Sequence, residues 1–474
     1  MRQIHSLFFI AVLLIAIIAG TLVACKKSTS DSSTTAASIS ALTCSSVTFS
    51  TTAAASTAYT GTATVPYTGG NGATYSAGSA ISSSGVTGLT ATLQAGTLAS
   101  GSGNLTYSIS GTPSDSGTAS FAISFGGKSC TMELTVSAAS TSSDCSSKTG
   151  IDKVLCLIDN FEASLSSTQL SELQITYTLA SAEKWSNFPD AIYGSRIGLK
   201  RSELSTSQRS SLDSLLKGIS GGGTNEGFSE LMQLLAADNY LSANGGGSDY
   251  GEANFHICIL GTPSTSGTFE IYWGGHHTQL SNTYINGTLV GATPSFRGVE
   301  PCTYGTSSAF SYAVNSSSTT TSIIPMNQEA TALSTMLTSL SSSQLSSAQL
   351  SGTYSDLICG PQKDWSFPTT ASGLACSSLS SAQQALVLAA IKTYVDDVAD
   401  SSSFISSYTN EISSTYISYS GTTGLTTKYD YVRIDGPHVW IEYSVGSSVV
   451  LSTPATHPHS VWRDKSYDYG GTKN

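Results

Sequence analysis

Leu165-Ser166-Ser167-Thr168-Gln169-Leu170 returns as Leu340-Ser341-Ser342-Ser343-Gln344-Leu345, 175 residues further on. The same offset relates Gly198-Leu199 to Gly373-Leu374, Leu204 and Gln208 to Leu379 and Gln383, and Gly261 to Gly436. Between them Trp185-Ser186-Asn187-Phe188-Pro189 is echoed by Trp365-Ser366-Phe367-Pro368 after a small length change. In so Ser-rich a chain one match means little; several in one register describe a duplication. Each copy opens on a helix start, where Ser accepts from free amides and Gln three residues on reaches back. Apolar spacing over 169–179 and 379–395 predicts amphipathic helices. A β portion follows in each copy, 255–260 and 269–273 in the first, 431–434 and 439–445 in the second. Neither half has strands enough to close a core alone. Residues 150–474 are therefore expected to form one α+β domain of two pseudo-twofold halves, about 150–325 and 326–474.

Upstream the texture changes. Residues 139–149 read as a linker, and 41–138 hold short β-prone runs broken by Gly, Ser and Pro. Residues 119–125 alternate, Gly126-Gly127 supplies a hairpin turn, and 130–136 alternate again. A hundred residues of this kind predict a β-sandwich. The stretch Gly-Thr-Pro-Ser-Asp-Ser-Gly-Thr (111–118) resembles immunoglobulin-like modules of bacterial surface proteins, which act as spacers or adhesive units. The segment has no His and no other chemical constellation. The chain is thus read as multidomain, an all-β module ahead of an α+β domain.

The N-terminus reads as an export signal over 1–24. Arg2 gives a positive start, 7–18 is an almost unbroken apolar run, and Leu22-Val23-Ala24-Cys25 has the form of a lipobox. A lipid on Cys25 would anchor the chain to a membrane, and residues 25–40 would form a polar tether. Lys26-Lys27 stand where an inner-membrane retention signal carries Asp, so an outer-membrane lipoprotein is expected, facing the periplasm or the cell surface. The Cys-Lys-Lys-Ser start resembles lipoproteins of the Bacteroidetes group. Beyond Cys25 eight Cys remain in neighbouring pairs. Four disulfides are the economical expectation in an oxidising compartment: Cys44 with Cys130, Cys145 with Cys156, Cys258 with Cys302, and Cys359 with Cys376. Only 11% of residues are charged, against about 25% in an average domain. A net charge of −11 with no basic cluster argues against a nucleic-acid partner.

His5 falls in the export signal, and the other six His occupy two windows: His256, His276 and His277, then His438, His457 and His459. The paired His follow the last β run of each half, so a pseudo-twofold packing would bring them into one cleft. In His457-Pro458-His459 the i and i+2 side chains of an extended chain point the same way and can share a metal ion. In Gly275-His276-His277 adjacent side chains of a strand diverge, so one His would join and the other would not, unless the Gly pair kinks the chain. Glu442 sits mid-strand in Trp440-Ile441-Glu442-Tyr443 and needs a partner, a ligand or a cation such as Arg433 or Arg463. Arg463, Asp464 and Asp468 would orient the histidines from behind. Structural readings compete with each of these: a turn packed on Trp273 for 274–277, an ion pair for Glu442, and a docked tail for 462–470. His256 and His438 read as structural.

Several of these motifs, in order, carry a resemblance. Trp-x-Asn-Phe-Pro, Gly-Gly-His-His (274–277), Thr-Pro-x-Phe-x-Gly (293–298), Gly-Pro (360–361), Arg-Ile-x-Gly-Pro (433–437), Ile-Glu-Tyr (441–443) and the terminal His-x-His with Arg-Asp and Asp-Tyr-Gly resemble one family of secreted bacterial and fungal proteins. It is domain-of-unknown-function family 3500, and the resemblance runs over about 155–470. Members tend to show Arg-Asp-Pro before the last Asp-Tyr-Gly; here Lys465 replaces the Pro. The resemblance implies domain boundaries and points to the same histidines, and brings no established activity.

Two classes of function follow. In one, His457, His459 and one of His276 and His277 furnish ligands to one divalent transition metal, and Glu442 acts as ligand or general base in a hydrolase or oxidoreductase on an extracellular substrate. In the other, the 22 Tyr and 5 Trp offer stacking surfaces for a glycan or peptide without catalysis, or the chain is purely structural. No Gly-x-Ser-x-Gly elbow stands out, and Gly221-Gly222-Gly223 lacks the Lys-Ser/Thr of a phosphate loop.

Overall fold

The structure, a computed structural model, describes residues 35–137, 143–302, 310–313, 320–451 and 456–471. The expected export signal, Cys25 and the first part of the tether lie outside the described residues. Among the described residues no helix is long and apolar enough to cross a membrane. The chain divides into two compact units, 1–139 and 140–474.

The first unit is β-rich, with a six-stranded and a four-stranded sheet contributing to one apolar cluster. Tyr59–Asn71 pairs with Ser100–Gly111 in the first sheet, and Gly117–Phe125 with Lys128–Ser137 in the second. Alternation decides which side chains enter: Phe121 and Ile123 from one strand, Met132 and Leu134 from its partner, are all buried. Gly126 and Gly127 both have positive φ, as a two-residue hairpin turn of this twist demands. Cys44 and Cys130 are disulfide-bonded.

The second unit is built on one twelve-stranded sheet. Its main strands are β1 (His256–Gly261), β2 (Thr268–Gly275), β3 (Thr278–Ile285), β4 (Ser295–Gly298), β5 (Tyr416–Ser420), β6 (Tyr431–Asp435), β7 (Val439–Ser447) and β8 (Thr456–Asp464). They run in the order β1-β2-β3-β4-β8-β7-β6-β5, each antiparallel to its neighbours. The halves therefore join strand to strand at β4 and β8, where Gly298 stands opposite His459. Both faces are covered. Ile257 and Ile259 pack into the larger cluster, which also takes in the helices α1 (Gly150–Glu162), α2 (Thr206–Ile219), α3 (Phe228–Leu241), α4 (Asn327–Thr338) and α5 (Ser381–Val395). Cys258 and Leu260, pointing the other way, pack with Trp185, Phe296 and Tyr469.

The expected helix starts are present and recur with their contacts. Ser166 with Gln169, Ser205 with Gln208, Ser341 with Gln344 and Ser380 with Gln383 each form a reciprocal capping box. Gln208 donates to Gln169 at 3.0 Å and to the Ser164 carbonyl at 2.8 Å; Gln383 donates to Gln344 at 2.9 Å and to the Ser339 carbonyl at 3.0 Å. Leu199 pairs with Ile257 on β1, and Leu374 with Ile417 on β5. Gly198 and Gly373 both have positive φ, and a Cβ on either would meet the Ile257 or Ile417 carbonyl at 2.3 and 2.4 Å. The counterpart of Gly261 is another matter. Gly261 ends β1 with φ +84°, and it is Gly421, φ +81°, that follows β5, so the expected match with Gly436 does not hold in the fold.

Two further expectations are corrected. Cys145 is bonded to Cys156 in α1 and the Ser143 amide donates to Asn160, so 143–149 belong to the second unit and are no free linker. Cys258, Cys302, Cys359 and Cys376 are buried free thiols. Their expected pairings fail because Cys302 and Cys376 pack in the large cluster, Cys258 lies in the cluster across the sheet, and the Cys359 amide is turned to Glu442.

Candidate metal centre

The two His windows meet at the seam. His276 and His277 form the tight turn between β2 and β3, with Gly275 paired to Thr278, and His277 holds φ at +80°. That left-handed conformation is costly for a residue with a Cβ and is kept where the surroundings over-determine it. His457 and His459 lie on β8 itself, not beyond the last strand as expected, and project to one side as an extended chain requires. The result is a triangle of ring nitrogens. His277 Nε2 is 2.8 Å from His457 Nε2 and 3.4 Å from His459 Nε2, and the last two are 3.1 Å apart.

The second nitrogen of two of these rings has an acceptor. His459 Nδ1 lies 2.9 Å from an oxygen of Asp356, and His457 Nδ1 lies 3.2 Å from the Ser447 carbonyl with Glu300 at 3.6 Å. Such partners place the proton on Nδ1 and leave the Nε2 lone pair to face inward. Burial, and then the neighbouring imidazoles, hold His277 well below the usual histidine range and bring His457 down to about 3. Desolvation against the His459 ring raises Asp356, whose side chain is otherwise exposed, but the His459 contact and the Leu357 amide lower it on balance. Glu300 is anchored by the Val449, Val450 and Leu451 amides, which all donate to one of its oxygens. The histidines open into a cavity of about 300 Å³.

Gly298 explains the close approach. A Cβ there would lie 2.9 Å from His459 Cδ2 and 3.1 Å from His277 Cδ2, so the last position of Thr-Pro-x-Phe-x-Gly must be bare for both rings to sit.

The remaining candidates fall elsewhere. His276 does not diverge from His277; the rings stack at 3.6 Å, and His276 Nδ1 faces Asp238 at 2.5 Å, so it flanks the triangle without entering it. Glu442, expected as ligand or base, is a structural carboxylate. It accepts from the Ile358 and Cys359 amides, the Tyr431 hydroxyl and the Trp440 indole, and does not meet the histidines. Arg463 donates to the Cys359 and Gly360 carbonyls and pairs with Asp364 and Asp468. Asp464 accepts from Tyr408 and from the Ser466 and Tyr467 amides, and Arg433 lies over Trp440 at 5.1 Å. None of these four touches a histidine ring. Glu442 and Arg463 act at one remove, holding the segment 358–360 that follows Asp356. His256 and His438, read as structural, pair with Asp190 and Glu411. The true partners, Asp238, Glu300 and Asp356, carry weak sequence signals. Asp238 alone stands out, as an acid on the apolar helix Phe228–Leu241.

A second cluster is acidic. Glu226, Glu329 and Asp397 have oxygens within 4.8 Å of one another. Arg297 sits among them, donating to Glu230 at 3.0 Å and to Asp397 at 3.5 Å. Burial first, and then neighbouring carboxylates, raise Glu226 to about 9 and push Glu230 and Glu329 well up.

No curated protein and no solved structure matches the chain. The family model described as protein of unknown function (DUF3500) matches residues 147–471, which take in both halves of the twelve-stranded sheet and all three converging histidines. From α1 to the end of the described sheet, then, this chain belongs to the DUF3500 family.

Proposed function

We propose that His277, His457 and His459 bind one divalent transition metal and that the second unit is a metal-dependent hydrolase. One observation carries this reading: two imidazoles whose Nδ1 atoms already have acceptors set their Nε2 atoms 3.1 Å apart. Two lone pairs at that distance repel unless a cation lies between them. Tetrahedral zinc, with bonds of about 2.0–2.1 Å to imidazole, separates its nitrogens by about 3.3 Å, close to the triangle found. Three protein ligands leave a fourth position toward the cavity for water. Three neutral imidazoles leave the charge of the ion uncompensated, so a water bound there would lose its proton near neutral pH and become the nucleophile. The partners of the rings, Asp356 for His459 and the Ser447 carbonyl for His457, hold them in the tautomer this needs.

The setting is proposed with it. The lipobox supports an outer-membrane lipoprotein anchored through Cys25, the first unit is read as an immunoglobulin-like spacer, and the recurrent contacts around Gln208 and Gln383 support descent of the two halves from one duplicated unit. Metal analysis by mass spectrometry, on the chain purified in detergent without a histidine tag, tests the centre. The expected outcome is close to one metal per chain, lost in the double variant His457→Ala, His459→Ala. No metal after loading with zinc, manganese, iron and copper would defeat the reading and leave glycan or peptide binding in its place.

A further inference from the structure

We infer that the mouth of the histidine cavity is a pre-formed apolar lip, and that the substrate is a small neutral molecule joining an apolar group to a metal-coordinating oxygen. The inference rests on the proposed metal centre for the oxygen, and on separate observations for the lip.

Among the described residues five large apolar side chains are exposed, and three of them, Phe188, Ile192 and Val449, line this one cavity. Isolated exposed apolar side chains need no explanation, but a cluster at a cavity mouth marks a binding surface. Phe188 is 50% exposed although every other residue from Trp185 to Pro189 is buried. Nor is it held out by chance. The buried Arg196 guanidinium donates to the Ser186 carbonyl at 2.7 Å, to the Phe188 carbonyl, and to Asp190 at 2.6 Å. Asp190 in turn meets Lys200 and His256, and the Pro189 carbonyl accepts from the Ile192 and Tyr193 amides. Phe188 and Ile192 thus ride on one clasped turn. Across the mouth, Glu300 grips the backbone of 449–451 by three amides and sets Val449. Each side of the lip is held by a buried charge, so the apolar surface is ordered before any ligand arrives, which lowers the entropy cost of binding.

The second copy shows the same motif packed on a neighbour. In Trp365-Ser366-Phe367-Pro368 the phenyl ring packs edge-on against Trp440, 5.6 Å between centroids. Only the first copy turns its Phe outward beside a set of histidines.

Charge narrows the class. Among the described residues no Lys or Arg lines the cavity, whereas Glu300 and Asp356 do. Phosphate esters and acidic glycans would meet two carboxylates and no cation but the metal. A volume near 300 Å³ suits a small molecule rather than a polymer segment.

Two hydroxamates test the lip on the zinc-loaded chain by calorimetry, since both chelate zinc and differ in the apolar group. Benzohydroxamate is expected to bind about tenfold more tightly than acetohydroxamate. Phe188→Ala should remove most of that difference while leaving acetohydroxamate affinity and zinc content unchanged. Equal affinities, or a difference that survives both Phe188→Ala and Ile192→Ser, would overturn the lip with the metal centre intact. If the chain takes up no zinc, the metal centre fails and benzamide followed by saturation-transfer NMR reads the lip alone. Saturation transfer that disappears in Phe188→Ala then supports it, and none in the parent chain overturns it.

Discussion

Two clusters of metal-ligating side chains lie in the same unit, one of imidazoles at the seam of the sheet and one of carboxylates around Arg297. They differ in where the compensating charge comes from. The carboxylates carry their own: Arg297 donates to Glu230 and Asp397, and the raised Glu226, Glu230 and Glu329 retain protons that neutralise the rest. The histidines have no such internal remedy, because the acceptors on Nδ1 of His457 and His459 commit their Nε2 atoms to lone pairs. One arrangement is complete as protein; the other leaves lone pairs facing one another, which the proposed ion would relieve. Proximity of ligand atoms alone does not separate a metal centre from a structural ionic core; the hydrogen bonds behind them do.

The largest effect should come from removing the internal cation. Arg297→Met would strand Asp397 as an unpaired carboxylate in a buried site and deprive Glu230 and the Gln279 and Phe296 carbonyls of a donor. Loss of one partner of a buried ion pair costs about 3–5 kcal/mol, readable in urea unfolding of the second unit. His457→Ala, beside an open cavity, should change the stability of the metal-free chain by no more than about 1 kcal/mol. Similar losses from the two variants would erase the distinction.

Zinc should act on one cluster alone. An ion that binds only the folded chain stabilises it by about 2.7 kcal/mol at a hundredfold excess over its dissociation constant. The rise in unfolding temperature should vanish in His459→Ala and persist in Glu329→Gln. A zinc response lost in Glu329→Gln would move the metal to the carboxylates.

Proton linkage should act on the other. Glu226 has its folded pKa raised from the ordinary 4.5 to about 9, so the folded chain binds more protons than the unfolded chain between those values. The sign follows: the contribution of Glu226 to stability is present below about pH 4.5 and is lost as the pH rises toward 9. Glu226→Gln should flatten the fall by on the order of 1–2 kcal/mol between pH 5 and 9 in denaturant titrations, well below the full shift because the carboxyl is only partly buried and solvent screens it. An unchanged slope would mean that Glu226 does not hold the proton.

How much of this was legible beforehand depends on how local each signal is. The capping boxes at Ser166, Ser205, Ser341 and Ser380 are local patterns of four residues, and those at Ser166 and Ser341 stand where the Leu-Ser-x-x-Gln stretches predict helix starts. His457 and His459 share a side because strand alternation is local as well. Their meeting with His277 depends on the pairing of β4 with β8, some 160 residues apart, which only a pseudo-twofold packing of the halves anticipates. Glu442 misled because a buried strand carboxylate announces that it needs partners without saying which; the 358–359 amides met that need. Cys258 and Cys302 misled in the same way, since nearness in sequence says nothing about opposite faces of a sheet.

The smallest effect is the most discriminating, because it replaces no ligand. Asp356 is exposed and reaches the triangle only through His459 Nδ1 at 2.9 Å, so its removal should leave fold and cavity as they are. Asp356→Asn keeps an oxygen for that hydrogen bond but removes the charge that makes the imidazole a better donor to metal. A loss of zinc affinity of about tenfold is expected, at the low end for such partners because solvent screens the carboxylate. Asp356→Ala should lose more, since the ring is then free to turn. Competition with a chromophoric chelator measures both. If neither variant weakens zinc, His459 is oriented by its strand alone. If Asp356→Asn abolishes binding outright, Asp356 would itself be a ligand, and the three-nitrogen centre would have to be redrawn with an oxygen.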